Sequence, residues 1–423
     1  MPVLPDLIPL AEAQRRVLDG VGPLPAVSVD LADAAGLVLA GEVGSALTVP
    51  AWANSAMDGF AVRSADVAGA SAAGPVTLPV LGEVPAGRAP DVELAPGTTL
   101  RIMTGAMMPP GADAVVPVED TDAAAGASDV PSAVAVFAAA RPGANVRAAG
   151  SDVEAGVTLL GAGRALDPAA IALLAATGHA SVTVHRPPRV AVISTGDELV
   201  PPGVPLGPAQ IHDSNSLTLA AQAAEAGAEV RRLGIARDTL DDLLGLVREA
   251  VAWADVVVLS GGVSVGAHDH VKAAFSAVGT LDVWRVAIKP GRPFAFARAT
   301  AGGRTVRLFG LPGNPVSVFV TFELFVRPVL RRLAGHPRGF DRPVRTVRLA
   351  EPIRGSSGRL TVARVVLAPD PARPDGLVAR SSGGQDSHML FSLARANGIL
   401  FVPPDEDLPA GADAVAWELR APG

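Results

Sequence analysis

The sequence predicts a multi-domain α/β plus β protein, with a parallel three-layer α/β domain at its centre and small β-rich parts around it. Three observations carry that prediction. Strand and helix patterns alternate from Arg189 to Phe309, in units long enough for right-handed crossovers. Residues 47–146 and 340–423 break instead into short alternating runs between Gly, Pro and Asp, as small β modules do. At 423 residues the chain is also too long for one core.

Taken in order, residues 1–45 read as mostly helical. Pro9–Leu18 is amphipathic, and Ser28–Leu39 carries apolar residues at helical spacing. From Leu47 the pattern shortens, and Val76–Val80, Thr98–Met103 and Ala114–Val118 read as strands, with Thr121–Ser132 an Ala/Gly/Ser loop. Helical character returns at 167–177 and closes at Gly178. A β-rich module over 46–145 is therefore read as inserted into a helical elongated domain made of 1–45 and 146–182. Pro187-Pro188 marks the change to the α/β domain, 183–338. Its strands are Arg189–Ser194, Ala228–Ile235, Asp255–Leu259 and Val306–Phe309, and its helices Asn215–Glu225, Thr239–Ala252, 269–278 and the segment from Val316. Residues 339–423 read as a small all-β domain, and no internal repeat is visible.

Composition excludes several classes of function. Net charge is −7 with no basic run, which argues against a nucleic-acid partner. Without cysteine there is neither a disulfide framework nor a thiolate metal site. The N-terminus lacks a cationic segment before an apolar one, and no stretch offers eighteen uninterrupted apolar residues. The expectation is a cytoplasmic protein with no membrane partner.

The chemistry gathers at strand ends. In an open parallel sheet, ligands sit beyond the carboxyl ends of the strands. Thr195–Glu198, Arg237-Asp238, Ser260-Gly261-Gly262 and Pro312-Gly313-Asn314-Pro315 all follow strands, so they should share one edge, with Asp269 opening the next helix. The glycine loops bring backbone N–H groups close to a ligand phosphate. Lys289 and Arg292 bracket a Pro-Gly turn and supply cationic donors. Acidic groups beside anion loops point to a divalent cation, and hard carboxylate oxygens favour magnesium. Each feature also has a plain structural reading. Glu198, Asp238 and Asp269 could be capping carboxylates, Lys289 and Arg292 surface charges, and His268 and His270 incidental. The β-module holds a second dense patch, Asn54–Phe60, and a strand ending on Thr104-Gly105.

Together these segments resemble the MoeA family of molybdopterin molybdotransferases, which includes the E domain of gephyrin. The matching pieces are NSAMDGFA (54–61), RIMTGA (101–106), STGDEL (194–199), DSNS (213–216), SGGVSVG (260–266), AIKPGRPF (287–294) and LPGNPVS (311–317), in family order over nearly the whole chain. The resemblance implies an elongated domain carrying the β-module, a molybdopterin-binding α/β domain and a C-terminal β-barrel-like domain. It implies magnesium-dependent insertion of molybdate into adenylyl-molybdopterin, with release of AMP. It also implies a homodimer whose active site is shared between subunits, and transient contact with the preceding adenylyltransferase. Metal and molybdate-site roles fall on Asp58, Thr104, Asp152, Glu198, Asp238 and Asp269. Lys289 and Arg285 would hold molybdate or phosphate. Asn54, Ser55, Ser260, Gly261, Gly262, Arg292, Pro312, Gly313, Asn314, Pro315 and Ser317 would bind the pterin and its phosphates. Arg285 stands where the family commonly has Lys, Ala267-His268 replaces the usual acidic start of its turn, and His270 takes a place often held by Tyr. The competing readings are a non-catalytic scaffold of the same fold, the adenylyltransferase itself, and a generic phosphate-ester hydrolase. The adenylyltransferase family lacks the β-module and the C-terminal domain.

Overall fold

Buried β-branched runs set the central layer. Val190 and Val192 turn one way with Val256, Val258 and Phe309, while Ala191 and Ile193 turn the other way with Val257, Leu259 and Leu308. Period-two alternation with apolar residues on both faces is what a sheet covered on both sides requires. The computed structural model describes residues 7–126, 129–263, 270–338 and 342–421, without the side chains of Val283 and Trp284. Its main sheet has the order Leu7–Ile8, Gly279–Val286, Pro293–Ala301, Arg304–Leu311, Val256–Ser260, Arg189–Thr195, Glu229–Ala236. The last four strands are mutually parallel, as expected, and Pro293–Ala301 runs antiparallel between its two neighbours.

Helices Leu10–Leu18, Asn215–Glu225, Pro315–Thr321 and Arg327–Leu333 cover one face, and Leu240–Trp253 and His270–Val278 the other. Local chemistry sets their ends: Thr239 caps Leu240–Trp253 by accepting from Asp242 N–H at 3.3 Å, and Gly227, at positive φ, follows Asn215–Glu225. A π-helical turn, Phe322–Val326, joins the last two segments on the first face.

Two N-terminal expectations are corrected. Helix Leu10–Leu18 forms where predicted, but Ala13 and Val17 pack into the α/β core, and Leu7–Ile8 pairs with Gly279–Val286. Residues 28–39 are not helical. Ala26–Asp30 and Val38–Leu39 both pair antiparallel with Ser181–His185, joined through a 3-10 turn at Leu31–Asp33. Val27 and Val29 alternate with polar residues, and that pairing outweighs the weak helical spacing. Helix Pro168–Ala176, capped by Asp167, completes this small core.

The inserted β-module is a five-stranded sheet, Ala133–Val136, Val76–Val84, Thr99–Ile102, Gly59–Val62, Ala114–Pro117. Two antiparallel ribbons, Val43–Gly44 with Thr158–Leu160 and Asn54–Ser55 with Val146–Arg147, stitch its entry to its exit.

In the C-terminal part, Leu360–Pro369 pairs with both Leu377–Ser381 and Gly398–Val402, closing a five-stranded barrel with Val344–Leu349 and Asp413–Glu418. Strand Ile288–Lys289 of the α/β domain lies alongside Leu360–Pro369, so the barrel is tied to the sheet that holds the site. Inside the barrel domain, Arg348 donates twice to the buried Asp370 at 2.6 Å and holds its carboxyl down to about 2. A depressed carboxylate contributes stability present above its unfolded value, roughly 3.9, and lost as pH falls through the folded one. Thermal midpoints should therefore drop between about pH 4 and pH 2, and Arg348→Met should flatten that drop.

Candidate active site

The four strand-end segments meet in one cleft of about 1120 Å³. Thr195 ends strand Arg189–Thr195, Gly196 and Glu198 follow it, and Asp238 follows Glu229–Ala236. Ser260-Gly261-Gly262 and Pro312–Pro315 complete that wall. Gly261 and Gly262 have φ of +94° and +66°. A Cβ on Gly261 would lie 2.5 Å from the Thr195 carbonyl oxygen, and one on Gly262 2.7 Å from Val271 Cγ2. Only glycine fits this turn, because it packs directly on Thr195 and Val271, and Gly261 N–H donates to the Leu311 carbonyl at 3.2 Å.

Hydrogen bonds lock the loops to one another. Thr195 Oγ1 donates to Asp238 Oδ1 at 3.0 Å, and Asp238 N–H donates to Asp197 Oδ1 at 3.1 Å. Asp213, buried, accepts from Ser194 Oγ and from Ser216 N–H, both at 3.0 Å, fixing the start of helix Asn215–Glu225. Asn215 Nδ2 donates to the Gly313 carbonyl at 2.7 Å. Glu198 and Asp238 are exposed to the cleft.

The barrel domain supplies a wall to which sequence reasoning assigned no role. Arg364 is fully buried; its Nη2 donates to the Gly384 and Asp386 carbonyls at 2.7 and 3.2 Å, and its Nε to Ser392 Oγ at 3.2 Å. This brace holds the following turn against the Pro312–Pro315 loop. There Asn314 Nδ2 donates to Ser387 Oγ at 2.9 Å, and Val316 N–H to the Ser387 carbonyl at 3.0 Å. The N-terminus of helix Pro315–Thr321 is thus partly filled by protein, not left open as a simple anion site. His388 and Leu390 line the cleft, as do His212 and His270. His270, read from the sequence as incidental, thus lies at the cleft.

A second cavity, of about 500 Å³, lies on the β-module and shares no lining residue with the first. Asp58 Oδ1 accepts from the backbone N–H and the hydroxyl of Thr104, at 2.6 and 2.7 Å. Those two bonds, with a smaller contribution from nearby Arg101, hold the Asp58 carboxyl below the usual carboxylate range. Met57, Arg101, Met103 and Glu119 also line this cavity.

Other predicted site residues sit elsewhere. Asn54 and Ser55 are buried in the strand beside Val146–Arg147, and Ser55 Oγ donates to the Met57 carbonyl at 2.5 Å. They shape the turn that presents Asp58; Ser55 is fully buried, and Asn54 nearly so, its Oδ1 meeting no hydrogen-bond partner among the described residues. Asp152 is exposed on the return from the module, its N–H donating to the Val49 carbonyl, and lines neither cavity. Lys289 pairs in register with Thr361 of the barrel, and Arg285 lies opposite Pro293. Lys289 and Arg292 are exposed. None of the three cations lines the cleft, although Pro293 does. Ser317 is buried at the cleft floor. Asp269, with His268, lies outside the described residues. Among the described residues, no group of three or more His, Asp or Glu side chains converges as a metal cage. No helix among them is long and apolar enough to cross a membrane.

Three family models match this chain in succession. Residues 8–178 match the MoeA N-terminal region (domain I and II), 191–332 a probable molybdopterin binding domain, and 346–419 the MoeA C-terminal region (domain IV). The molybdopterin molybdenumtransferase 2 of Mycobacterium tuberculosis is 42% identical over 415 residues, covering 96% of this chain and 98% of that protein. The chain belongs to the MoeA family. A second MoeA-family relative, the molybdopterin molybdenumtransferase of a Nostoc species, is 40% identical over 92% of this chain and 88% of its own length. The solved molybdopterin biosynthesis MoeA protein from Pyrococcus horikosii superposes with a TM-score of 0.78 at 33% identity, covering 98% of this chain and all of that one. The cleft lies almost wholly within the span matched by the molybdopterin-binding model, with His388 and Leu390 contributed by the MoeA C-terminal region.

Proposed function

We propose that this protein is a molybdopterin molybdenumtransferase of molybdenum cofactor biosynthesis, working in the cytoplasm. It inserts molybdate into adenylyl-molybdopterin, with magnesium, and releases AMP. The observation that carries this reading is the single cleft in which four strand-end loops, two of them glycine-rich, converge within the span of the molybdopterin-binding family model.

The chain's own groups have distinct tasks. The Ser260-Gly261-Gly262 turn, which lines the cleft, would receive the substrate's phosphate, and Asn215 fixes the facing loop through Gly313. The braced Ser387–Leu390 turn shields the opposite side from water, strengthening electrostatic interactions within the cleft. Glu198 and Asp238 offer hard oxygen donors in one cleft, which suits a magnesium ion held by one or two carboxylates together with substrate phosphate. When bound, that ion would offset charge on the departing AMP. Asp58 is ionised and oriented by Thr104, but on another domain. Its separation from the cleft supports a homodimer in which the module of one subunit completes the cleft of the other. A transient contact with the adenylyltransferase would deliver the adenylylated pterin.

The function is tested by AMP release from adenylyl-molybdopterin, with and without molybdate and magnesium. Release that needs both supports the transferase; tight pterin binding without release would indicate a scaffold. Gly261→Ala should weaken pterin binding about 5- to 150-fold, because positive-φ strain of roughly 1–3 kcal/mol must be relieved by moving the loop. Titration of pterin fluorescence measures this. Unchanged affinity would remove the Gly261 turn from the site.

A further inference from the structure

A third cavity, of about 430 Å³, opens at the junction between the N-terminal domain and the α/β domain, at the C-terminal end of helix Asn215–Glu225, whose first residue lines the cleft. Val38, Ala165 and His185 form one wall; Glu225, Arg331 and His336 form the other. The two bodies touch beside it where side chains are missing. A Cβ on Gly335 would lie 2.2 Å from His185 Cδ2, and one on Gly163 2.9 Å from Pro337 Cγ.

The charges around this cavity do not cancel locally. Glu225 is engaged by Arg342, through both guanidinium nitrogens. Glu323 accepts from Arg342 at 2.8 Å and lies 3.8 Å from Arg327. Arg331 has no carboxylate in ion-pair range among the described residues, and its buried Nε meets no hydrogen-bond partner there. The helix-end carbonyls at the junction are already satisfied: those of Ala224, Leu330, Arg331 and Arg332 accept from Gly227, Ala334, His336 and Gly335. His185 Nδ1 donates to the Leu24 carbonyl at 2.7 Å, leaving Nε2 without that partner. Burial, with Arg331 and Arg327 nearby, pushes the His336 imidazole down to about 4. Burial and the neighbouring Arg327 and Arg342 push Arg331 down as well. A cavity whose one unpaired cation among the described residues, Arg331, is half-buried with its Nε unpartnered favours a negative ligand.

We infer that this junction cavity is a binding site for a small tetrahedral oxyanion of the phosphate class, held by Arg331 with His336 and His185. The site is separate from the proposed catalytic cleft and does not depend on the transferase reading. Because its walls belong to two domains, an occupant stiffens the junction between them.

Thermal unfolding of the full-length protein in inorganic phosphate, against chloride of equal ionic strength, tests the site. Phosphate also stabilises proteins generally by exclusion from their surface, so the readout is the difference between wild type and two variants. Arg331→Met removes the charge; Ala165→Leu fills the cavity from the other wall and leaves every charge in place. Wild type should gain about 1–3 °C at a tenfold excess of phosphate over its Kd. Both variants should lose that increment, and both should keep basal AMP release. In parallel, NMR titration of His336 should show its imidazole titrating at higher pH when phosphate is present. Equal gains in all three proteins, or an unmoved His336, would overturn the inference. A gain with AMP but none with inorganic phosphate would assign the pocket to a phosphomonoester and overturn the free-oxyanion form.

Discussion

Asp58→Ala is expected to reduce molybdate-dependent AMP release by on the order of 10²-fold or more, with little change in the folded state. Asp58 lies on an exposed turn, and what it loses is two hydrogen bonds from Thr104. The freed Thr104 donors can turn to water, so the cost in stability stays near about 0.5–1.5 kcal/mol. The loss of turnover is large for a different reason. A carboxylate held ionised by two donors and aimed into a cavity is already oriented to hold a cation or position an oxyanion. Asp58→Asn separates charge from shape, since it keeps an acceptor for Thr104. Turnover and thermal midpoints measured together decide the matter. Near-normal turnover in Asp58→Ala would remove this residue from the site.

Arg342→Met should cost about 3–5 kcal/mol of stability, the largest effect expected of any single change away from the cleft. Arg342 opens the C-terminal domain but reaches into the α/β core. Its Nε donates to Glu323 at 2.8 Å, and its Nη atoms engage Glu225 and Glu323. Glu323 is wholly buried in the π-helical turn, where Gln222 Nε2 also donates to it at 2.8 Å. Without Arg342, that carboxylate keeps one amide partner and a more distant guanidinium, Arg327 at 3.8 Å. A buried charge so exposed to an apolar surround is costly. The double variant Arg342→Met/Glu323→Met should recover most of the loss, because the penalty lies in the orphaned charge. A double variant no more stable than Arg342→Met alone would contradict this account.

What the sequence disclosed follows from the range of each interaction. The helices at Asn215–Glu225 and Leu240–Trp253 were legible because caps and apolar spacing are local. The glycine loops were legible for the same reason: each follows a short apolar strand, and strand ends share an edge. Ser28–Leu39 was misread because its pairing partner, Ser181–His185, is remote in sequence. Helix Leu10–Leu18 was read correctly as an element, but which sheet it covers is decided by Ala13 and Val17 meeting residues hundreds of positions away. The barrel's wall of the cleft was hidden similarly. Arg364 in a strand looks like a surface cation until its burial beneath the Gly384–Asp386 turn is seen. Asn54 and Ser55 carry the resemblance in sequence, but their burial and the bond from Ser55 to the Met57 carbonyl were not legible there, since a motif does not distinguish a residue on the surface from one packed beneath it.

The central claim is that the Asp58 patch and the glycine-loop cleft are two halves of one active site joined across a homodimer. Co-expressing Asp58→Ala and Gly261→Ala subunits and measuring AMP release from the mixed dimers tests it most directly. A heterodimer of these two variants would carry one site with both changes and one site with neither. With pterin held well below the Kd of the Gly261→Ala site, so that neither variant alone turns over well, random assembly should restore about a quarter of wild-type activity. Activity no greater than that of the two variants assayed separately would place both halves in one chain and contradict the claim.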